Sequence, residues 1–245
     1  MKALCLFIIL ISLFLALIIH ECGHFIAARL IKLPVTQFQI GMGKPIIKKK
    51  VNDTEYAFSP LLFGAFVANK TKDMEKLSYT KQCIFFLAGG LANFLFAYIL
   101  AIIACLFAGH GIHSFAMAFR MLGNILNTMI QLIRMLFAGA VNFSDKTGII
   151  GSFSKIGDMV ASSDRNTLGQ ISVSLGVSAY LSIALGIGNL LPIPSLDGGQ
   201  IITEGIIRIG RRFHKNLRPA ITKISNVFCL LFMILTLLMF IPDLL

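Results

Sequence analysis

The sequence predicts an all-α polytopic membrane protein with four transmembrane helices, a small membrane-associated β-sheet or hairpin after the first helix, and an interfacial amphipathic helix. The first observation is composition. Of 245 residues, 56% are hydrophobic and 13% are charged, whereas soluble domains are about 45–50% apolar and about 25% charged. The second is that apolar residues form long runs separated by polar segments. The third is that basic residues flank those runs.

The net charge of +11 is explained by membrane loops rather than by a nucleic-acid surface. Only Lys2 precedes the first apolar run, while ten lysines and arginines lie from Arg29 to Lys81. Cytoplasmic loops carry such an excess of basic residues. We therefore expect the N-terminus to face outward and the lipid bilayer to be a partner, with no role for nucleic acid. The five cysteines are scattered and form no disulfide framework.

Four apolar runs predict the transmembrane spans, which cover about residues 3–30, 83–108, 171–191 and 224–241. The first run could be mistaken for a signal peptide. No small-residue cleavage site follows it, however, so a retained membrane helix is the better interpretation. With an outward N-terminus, four crossings place both termini outside the cytoplasm. We expect one domain over residues 1–245.

Residues 35–70 change from apolar runs to strand-like patterns. The strand candidates are residues 35–40, 46–51, 56–58 and 63–67. Gly41 and Gly43 interrupt the first strand, and Asn52-Asp53 supplies a hairpin turn between the second and third. The simpler interpretation is a cytoplasmic β-loop. The alternative is a sheet beside the functional site, whose open edge could hold an extended peptide.

Residues 113–140 are apolar but carry a polar stripe. Its members lie 4, 3, 4 and 3 residues apart and so share one helical face: Arg120, Asn124, Asn127, Gln131 and Arg134. A helix of this kind lies in the membrane interface rather than across the bilayer. Residues 142–170, rich in glycine, serine and aspartate, then predict an extracytoplasmic loop.

The first span carries a five-residue motif near its inner end, His20-Glu21-Cys22-Gly23-His24. Two histidines four residues apart lie on one face of a helix, where both imidazoles can bind a single metal. Glu21 can then act as a general base on a water activated by that metal. Because ionisable residues inside a bilayer are costly, they indicate function there; two packing histidines with a paired glutamate are the alternative.

Catalytic zinc takes three protein ligands and keeps one position for water, so a third ligand is needed. Asp197 is the best candidate, because it is the single acid in the otherwise uncharged stretch from Ile171 to Thr203 and lies in a segment interrupted by two prolines and two glycines. Taken alone, Asp197 could equally cap a helix. The alternatives are His110 or His113, beyond the far end of the second span, and His214 in a basic loop.

Topology favours Asp197. The motif lies near the inner end of the first span, and Asp197 follows the end of the third. The two meet at one level only if the third span also leads inward, which requires that residues 113–140 do not cross the bilayer. The polar stripe of that segment predicts the same arrangement.

The second span contains a patch of small residues, Gly89-Gly90-Leu91-Ala92-Asn93. Small residues let helix backbones approach closely. Asn93 is polar at some depth and could bond to a loop or to another helix. A structural role of the patch is favoured over direct chemistry.

Four segments together resemble the site-2 proteases, and within them the group of the bacterial regulator-of-sigma-E protease. The segments are residues 20–25, 38–44, 88–94 and 188–199. The resemblance implies an intramembrane zinc endopeptidase with Zn²⁺ as cofactor. It implies His20, His24 and Asp197 as zinc ligands and Glu21 as the catalytic base.

The same resemblance implies a substrate-binding set, which consists of Asn189, Gly41, Gly43, Gly64 and Phe66. The implied substrates are single-span membrane proteins or remnant signal peptides, cleaved by regulated intramembrane proteolysis. The implied location is the bacterial inner membrane, with the active site towards the cytoplasm. A non-catalytic metal-containing membrane scaffold or transporter is the alternative function.

The sequence also departs from the family pattern. The family often has a proline at the position of Gly90, and Ser-Gly-Pro at residues 147–149. Bacterial relatives carry one or two PDZ domains between the second and third spans. Only about sixty residues are available there, whereas a PDZ domain needs about 90, so we expect no PDZ domain.

Overall fold

Helices dominate the computed structural model, which describes residues 2–137, 166–213 and 217–238. A 3-10 turn, Gly111–His113, precedes α4. The helices within the described residues are α1 Lys2–Leu30, α2 Thr71–Lys76, α3 Tyr79–Phe107, α4 Ser114–Phe137, α5 Thr167–Asn189, α6 Asp197–Arg212 and α7 Arg218–Leu238.

Three helices in the described residues, α1, α3 and α5, are long and apolar enough to cross a membrane. A helix satisfies every backbone polar group within itself, so an apolar run of this length is stable in hydrocarbon. These helices correspond to the first three predicted spans. The predicted fourth span, residues 224–241, falls on α7 and extends beyond the described residues. The count of four spans stays a prediction.

The predicted small sheet is present, and in the described residues it has four strands in the order β2-β3-β1-β4. The strands are β1 Val35–Met42, β2 Ile47–Val51, β3 Thr54–Phe58 and β4 Leu61–Asn69. β2 and β3 form the expected antiparallel hairpin, and Asn52 in its turn has a φ of 52°, which asparagine tolerates better than most residues.

β1 is the central partner of the sheet. It pairs in parallel with β3 and antiparallel with β4. In the register with β4, Phe38 lies opposite Val67 and Ile40 opposite Ala65. Within the described part of the chain β4 pairs with no other strand, so one of its edges is open.

Aromatic packing and a chain of hydrogen bonds fix the sheet to α1. The Phe25 ring lies 5.3 Å from Phe38 and 6.0 Å from Tyr56 between centroids. One turn further along α1, Arg29 Nη2 donates to Thr54 Oγ1 over 2.8 Å. The Thr54 hydroxyl in turn donates to the Val35 carbonyl over 2.8 Å. The inner end of α1 and the sheet therefore form one assembly.

A buried apolar cluster joins the end of α1 to the residues that follow it. It consists of Ala28, Ile31, Leu33, Val35, Met74 and Phe85. The buried Gln82 side chain completes this region, because its Nε2 donates to the Met74 carbonyl over 2.8 Å. The start of α3 is thereby held next to the sheet and to α2.

The chain divides into two compact units. One contains residues 14–94 and 185–229, and therefore the sheet, α2 and α6. The other contains residues 1–13, 95–184 and 230–245, and therefore α4. The amphipathic helix predicted for 113–140 corresponds to α4, whose five stripe residues are exposed while Ala118, Ile125 and Met129 are buried. Its placement in the membrane interface stays a prediction, and most of the predicted loop 142–170 lies outside the described residues.

Candidate metal centre

Two histidine side chains converge one turn apart on α1. Their four-residue spacing puts both rings on one helical face, and His20 and His24 are both buried. Their rings meet edge to face, with centroids 4.8 Å apart. The two Nε2 atoms are 3.2 Å apart, so both nitrogens are directed at the same point.

Asp197, the first residue of α6, joins this pair. Its Oδ2 lies 3.1 Å from His20 Nε2 and 3.2 Å from His24 Nε2. Among the described residues, these three form the one group of histidine, cysteine and acidic side chains able to hold a metal ion together. His110 and His113 do not belong to that group, and His214 lies outside the described residues.

The donor geometry fits zinc. The three separations between donor atoms are 3.2, 3.1 and 3.2 Å. In a tetrahedral site with bonds of about 2.0–2.1 Å, neighbouring donors are about 3.3 Å apart. Two imidazole nitrogens and one carboxylate oxygen are also a donor set typical of catalytic zinc, which leaves the fourth position for water or substrate.

Each histidine is oriented through its other nitrogen. His24 Nδ1–H donates to the Phe85 carbonyl over 2.8 Å, which leaves Nε2 free for a metal. His20 Nδ1 lies 3.3 Å from Asn93 Nδ2. A metal-binding Nε2 requires the proton on Nδ1, so for a metal-bound His20 the Asn93 amide must turn over, which brings Oδ1 to the place of Nδ2 as the acceptor.

Asn93 is therefore a candidate positioning residue that the sequence reasoning did not identify. The sequence favoured a structural role for the patch around it, whereas the buried Asn93 side chain contacts a predicted ligand. The available signal was a polar residue deep in an apolar span. Its partner was not predictable, because the two residues are 73 positions apart in the chain.

Small residues create the space for the centre. A Cβ atom on Gly89 would lie 2.5 Å from His24 Nε2 and 2.7 Å from His20 Nε2, well inside van der Waals contact. A Cβ on Gly23 would lie 2.5 Å from the Ala88 carbonyl oxygen. The small-residue patch on α3 therefore packs closely against α1, as predicted, and it does so at the histidine pair.

A tight turn between α5 and α6 sets the position of Asp197. A Cβ on Gly198 would lie 2.0 Å from the Leu190 oxygen, and one on Gly199 would lie 1.8 Å from the Ile193 oxygen. Burial acts to raise the pKa of Asp197, but hydrogen bonds and attraction from His20 and His24 outweigh it, so the pKa lies below its usual value. The carboxylate form, which a metal requires, is favoured.

Glu21 lies between the ligands and the sheet. The Val67 backbone N–H of β4 donates to Glu21 Oε2 over 3.1 Å. Because this N–H points to Glu21 and not to β1, it belongs to the open edge of β4. The predicted base therefore stands next to a strand that can accept another strand.

The structure brings the predicted substrate-binding residues to three different places. Asn189 ends α5, and its amide donates to the Leu185 carbonyl over 3.1 Å. Gly41 and Gly43 have φ angles of 85° and 91°, and both carbonyls accept hydrogen bonds from the buried Gln39 amide. Gly64 and Phe66 lie on β4 itself, where the Phe66 side chain is exposed. Their roles in substrate binding stay predictions.

We expect Gly89→Ala to abolish zinc binding, because the new methyl group would occupy the space between the two imidazoles. Zinc per protein molecule, measured by atomic emission on purified protein, checks this. Gly188→Ala is the matched control, since a Cβ there meets nothing within 4 Å, and it should keep its zinc. A fully loaded Gly89→Ala protein would contradict the proposed position of the metal.

We expect Asn93→Ala to weaken zinc affinity about 10–100-fold, as loss of the group that orients a metal-bound histidine does elsewhere. Asn93→Asp should restore most of the affinity, because a carboxylate also accepts the His20 Nδ1–H. Competition with a zinc chelator gives both values. Asn127→Ala on the exposed face of α4 is the control, and equal affinities for all variants would contradict the assignment.

Comparison with known proteins places this chain in a family. The sequence model of Peptidase family M50 matches residues 8–235. A Fusobacterium nucleatum protein named as a putative zinc metalloprotease is 23% identical, over 93% of this chain and 95% of its own length. Other proteins named as putative zinc metalloproteases match a shorter part of this chain. The one from Borreliella burgdorferi is 36% identical over 38% of this chain, and the one from Synechocystis is 34% identical over 34%.

In those two relatives the match spans 25% and 26% of the relative's own length. The family model, in contrast, takes in all of the residues of the proposed centre and most of the chain. Together with the three apolar helices, it fits a multi-pass membrane protein. The chain belongs to Peptidase family M50, the zinc-dependent family of the site-2 proteases.

Proposed function

We propose that the chain is an intramembrane zinc endopeptidase that cleaves within the transmembrane segments of single-span membrane proteins or remnant signal peptides. The observation that carries this proposal is the convergence of two histidine nitrogens and one carboxylate oxygen, each about 3 Å from the others, with Glu21 adjacent in sequence. Membership of family M50 supports the same activity.

His20, His24 and Asp197 would hold the zinc ion. When bound, Zn²⁺ supplies a Lewis acid that polarises the scissile carbonyl and makes water acidic enough to lose a proton near neutral pH. Glu21 takes the proton from the attacking water and returns it to the leaving amine. The Val67 N–H hydrogen bond holds one Glu21 oxygen, so the other is free to act on the water.

The open edge of β4 supplies a way to hold the substrate. A transmembrane helix hides its carbonyl groups in internal hydrogen bonds and must unwind before hydrolysis. Unwound backbone in a bilayer is costly unless its polar groups find partners. Strand addition to β4 supplies those partners, and the hydrogen bond from Val67 N–H to Glu21, the proposed base, supports this placement of the substrate.

The proposed location is the bacterial inner membrane, with both termini outside the cytoplasm and the active site towards the cytoplasmic side. The basic residues from Arg29 to Lys81 and from Arg208 to Lys223 support this orientation. A non-catalytic metal-containing scaffold or transporter is the competing function. It needs the three ligands but has no use for Glu21, which makes that residue the discriminating one.

We expect Glu21→Gln to abolish cleavage of a model single-span substrate while zinc content stays unchanged, because an amide cannot accept the proton. Asp197→Ala should lose both zinc and activity. Two measurements check both variants. Cleavage in detergent is followed by gel electrophoresis, and zinc content is measured on the purified proteins. Glu55→Gln on β3, which pairs with Lys48, is the control and should behave as wild type. Equal turnover by Glu21→Gln and wild type would refute a proteolytic function.

We expect Ala65→Pro to lower kcat/KM for a membrane substrate about tenfold or more, because proline removes an outward N–H from the strand edge. Backbone N–H groups alternate between the two edges of a strand, so the N–H of Ala65 lies on the same edge as the N–H of Val67. Zinc content should not change. Ala65→Val keeps the N–H and is the control. If both variants cleave like wild type, the substrate does not pair with β4.

A further inference from the structure

α6 presents an exposed apolar stripe beside its packed face. Thr203, Glu204, Ile207 and Gly210 are buried. The stripe, spaced 4, 3 and 4 residues apart, consists of Ile202, Ile206, Ile209 and Phe213, with exposures of 47, 45, 61 and 70%. Four large apolar side chains in line over about 16 Å of helix are not a surface that water favours.

Arginines concentrate at the C-terminal end of this stripe. A depression of about 380 Å³ is lined by Arg208, Ile209, Arg211 and Arg212. Arg208 is engaged with the Leu77 carbonyl and with Gln82, and Arg211 with Glu75. Arg212 is exposed and has no acidic partner in the part of the chain that the structure describes. The end of α6 therefore combines apolar side chains with positive charge that is only partly compensated.

We propose that this face of α6 lies in the headgroup–acyl boundary of an anionic lipid leaflet, with Arg212 against lipid phosphates. Helices that lie in a membrane interface have this composition, with an apolar face flanked by basic residues. Anionic headgroups attract juxtamembrane arginines. The apolar stripe and the arginine depression are side by side, as one amphiphilic ligand requires.

Two observations favour lipid over a protein partner. α5, which is apolar enough to span the membrane, ends at Asn189, and α6 begins at Asp197. The short connection keeps α6 at the edge of the bilayer. The first half of the stripe also borders an apolar crevice of about 180 Å³, which Pro192, Pro194 and residues Ile221 and Ile224 of α7 line as well. The apolar surface is thus continuous with the loop that leaves the membrane.

This docking bears on the metal centre, because Asp197 is the first residue of the same helix. Protein contacts hold α6 along its packed side, where Tyr79 donates to the Ile201 carbonyl over 3.1 Å. Lipid would hold the apolar stripe. The depth of the third metal ligand is then set jointly by the protein and by the leaflet.

The chain contains no tryptophan, so a single introduced tryptophan can report its own surroundings. Ile209→Trp and Phe213→Trp are placed in the full-length protein, which is reconstituted in phosphatidylcholine vesicles with and without phosphatidylglycerol. Lys76→Trp is the control, since that side chain is 77% exposed on α2. Brominated lipids quench tryptophan in the bilayer, and acrylamide quenches tryptophan in water.

We expect brominated lipid to quench the two stripe tryptophans about twofold or more above the Lys76→Trp control, with a blue-shifted emission. Quenching by acrylamide as strong as in the control would show a stripe in water and overturn the proposal. Protection from both quenchers would show a stripe covered by a partner protein or a second copy, and would also overturn it. These readouts do not depend on proteolysis.

The charge requirement is tested in the Phe213→Trp background. Phosphatidylglycerol should increase quenching by brominated lipid, and Arg212→Gln should remove most of that increase, whereas Lys76→Gln should not. Retention of zinc shows that each variant is folded. No effect of phosphatidylglycerol on the parent variant would refute recognition of anionic headgroups.

Discussion

The structure depends on one constraint, which is that three polar donor atoms must meet within 3.2 Å of one another inside an apolar helix assembly. Buried polar and charged groups are tolerated only when they are paired or bind a metal. Such a meeting requires helix backbones in near contact, and residues without a side chain provide it. Gly23 brings α1 against α3, and Gly89 leaves the space that the two imidazoles occupy.

The same helix that carries the two candidate histidine ligands also holds the sheet. His20, Glu21 and His24 are followed within α1 by Phe25, which packs on the sheet, and by Arg29, which binds Thr54. The Val67 N–H closes the link from the strand edge back to Glu21. The strand edge, Glu21 and the candidate metal site are therefore linked through α1 by direct contacts.

Local patterns made much of this arrangement predictable. The His20–His24 spacing implies a shared helical face, and apolar runs in a bilayer have almost no alternative to helix. Asp197 was predictable for two reasons. Acids are rare in that stretch of the sequence, and the predicted number of membrane crossings brings the end of the third span to the same level as the histidine motif. The partner of Asn93 and the space left by Gly89 were not predictable, because both are contacts between α1 and α3. Neither segment alone carries a pattern that indicates them. For Gly41 and Gly43, substrate binding stays a prediction of the resemblance; the hydrogen bonds from Gln39 show in addition a local structural use.

The interruption between α5 and α6 explains why a residue beyond the third span can reach the site. Had the helix continued from Asn189, residue 197 would lie about 12 Å further along its axis, too far to share an ion with a histidine pair. Instead the chain turns back, and α6 begins beside the backbone that leaves α5. The close approach of Gly198 to the Leu190 oxygen and of Gly199 to the Ile193 oxygen makes that turn possible. The depth of Asp197 thus follows from two glycines that could carry no side chain, and the metal site requires the broken helix as much as it requires the carboxylate.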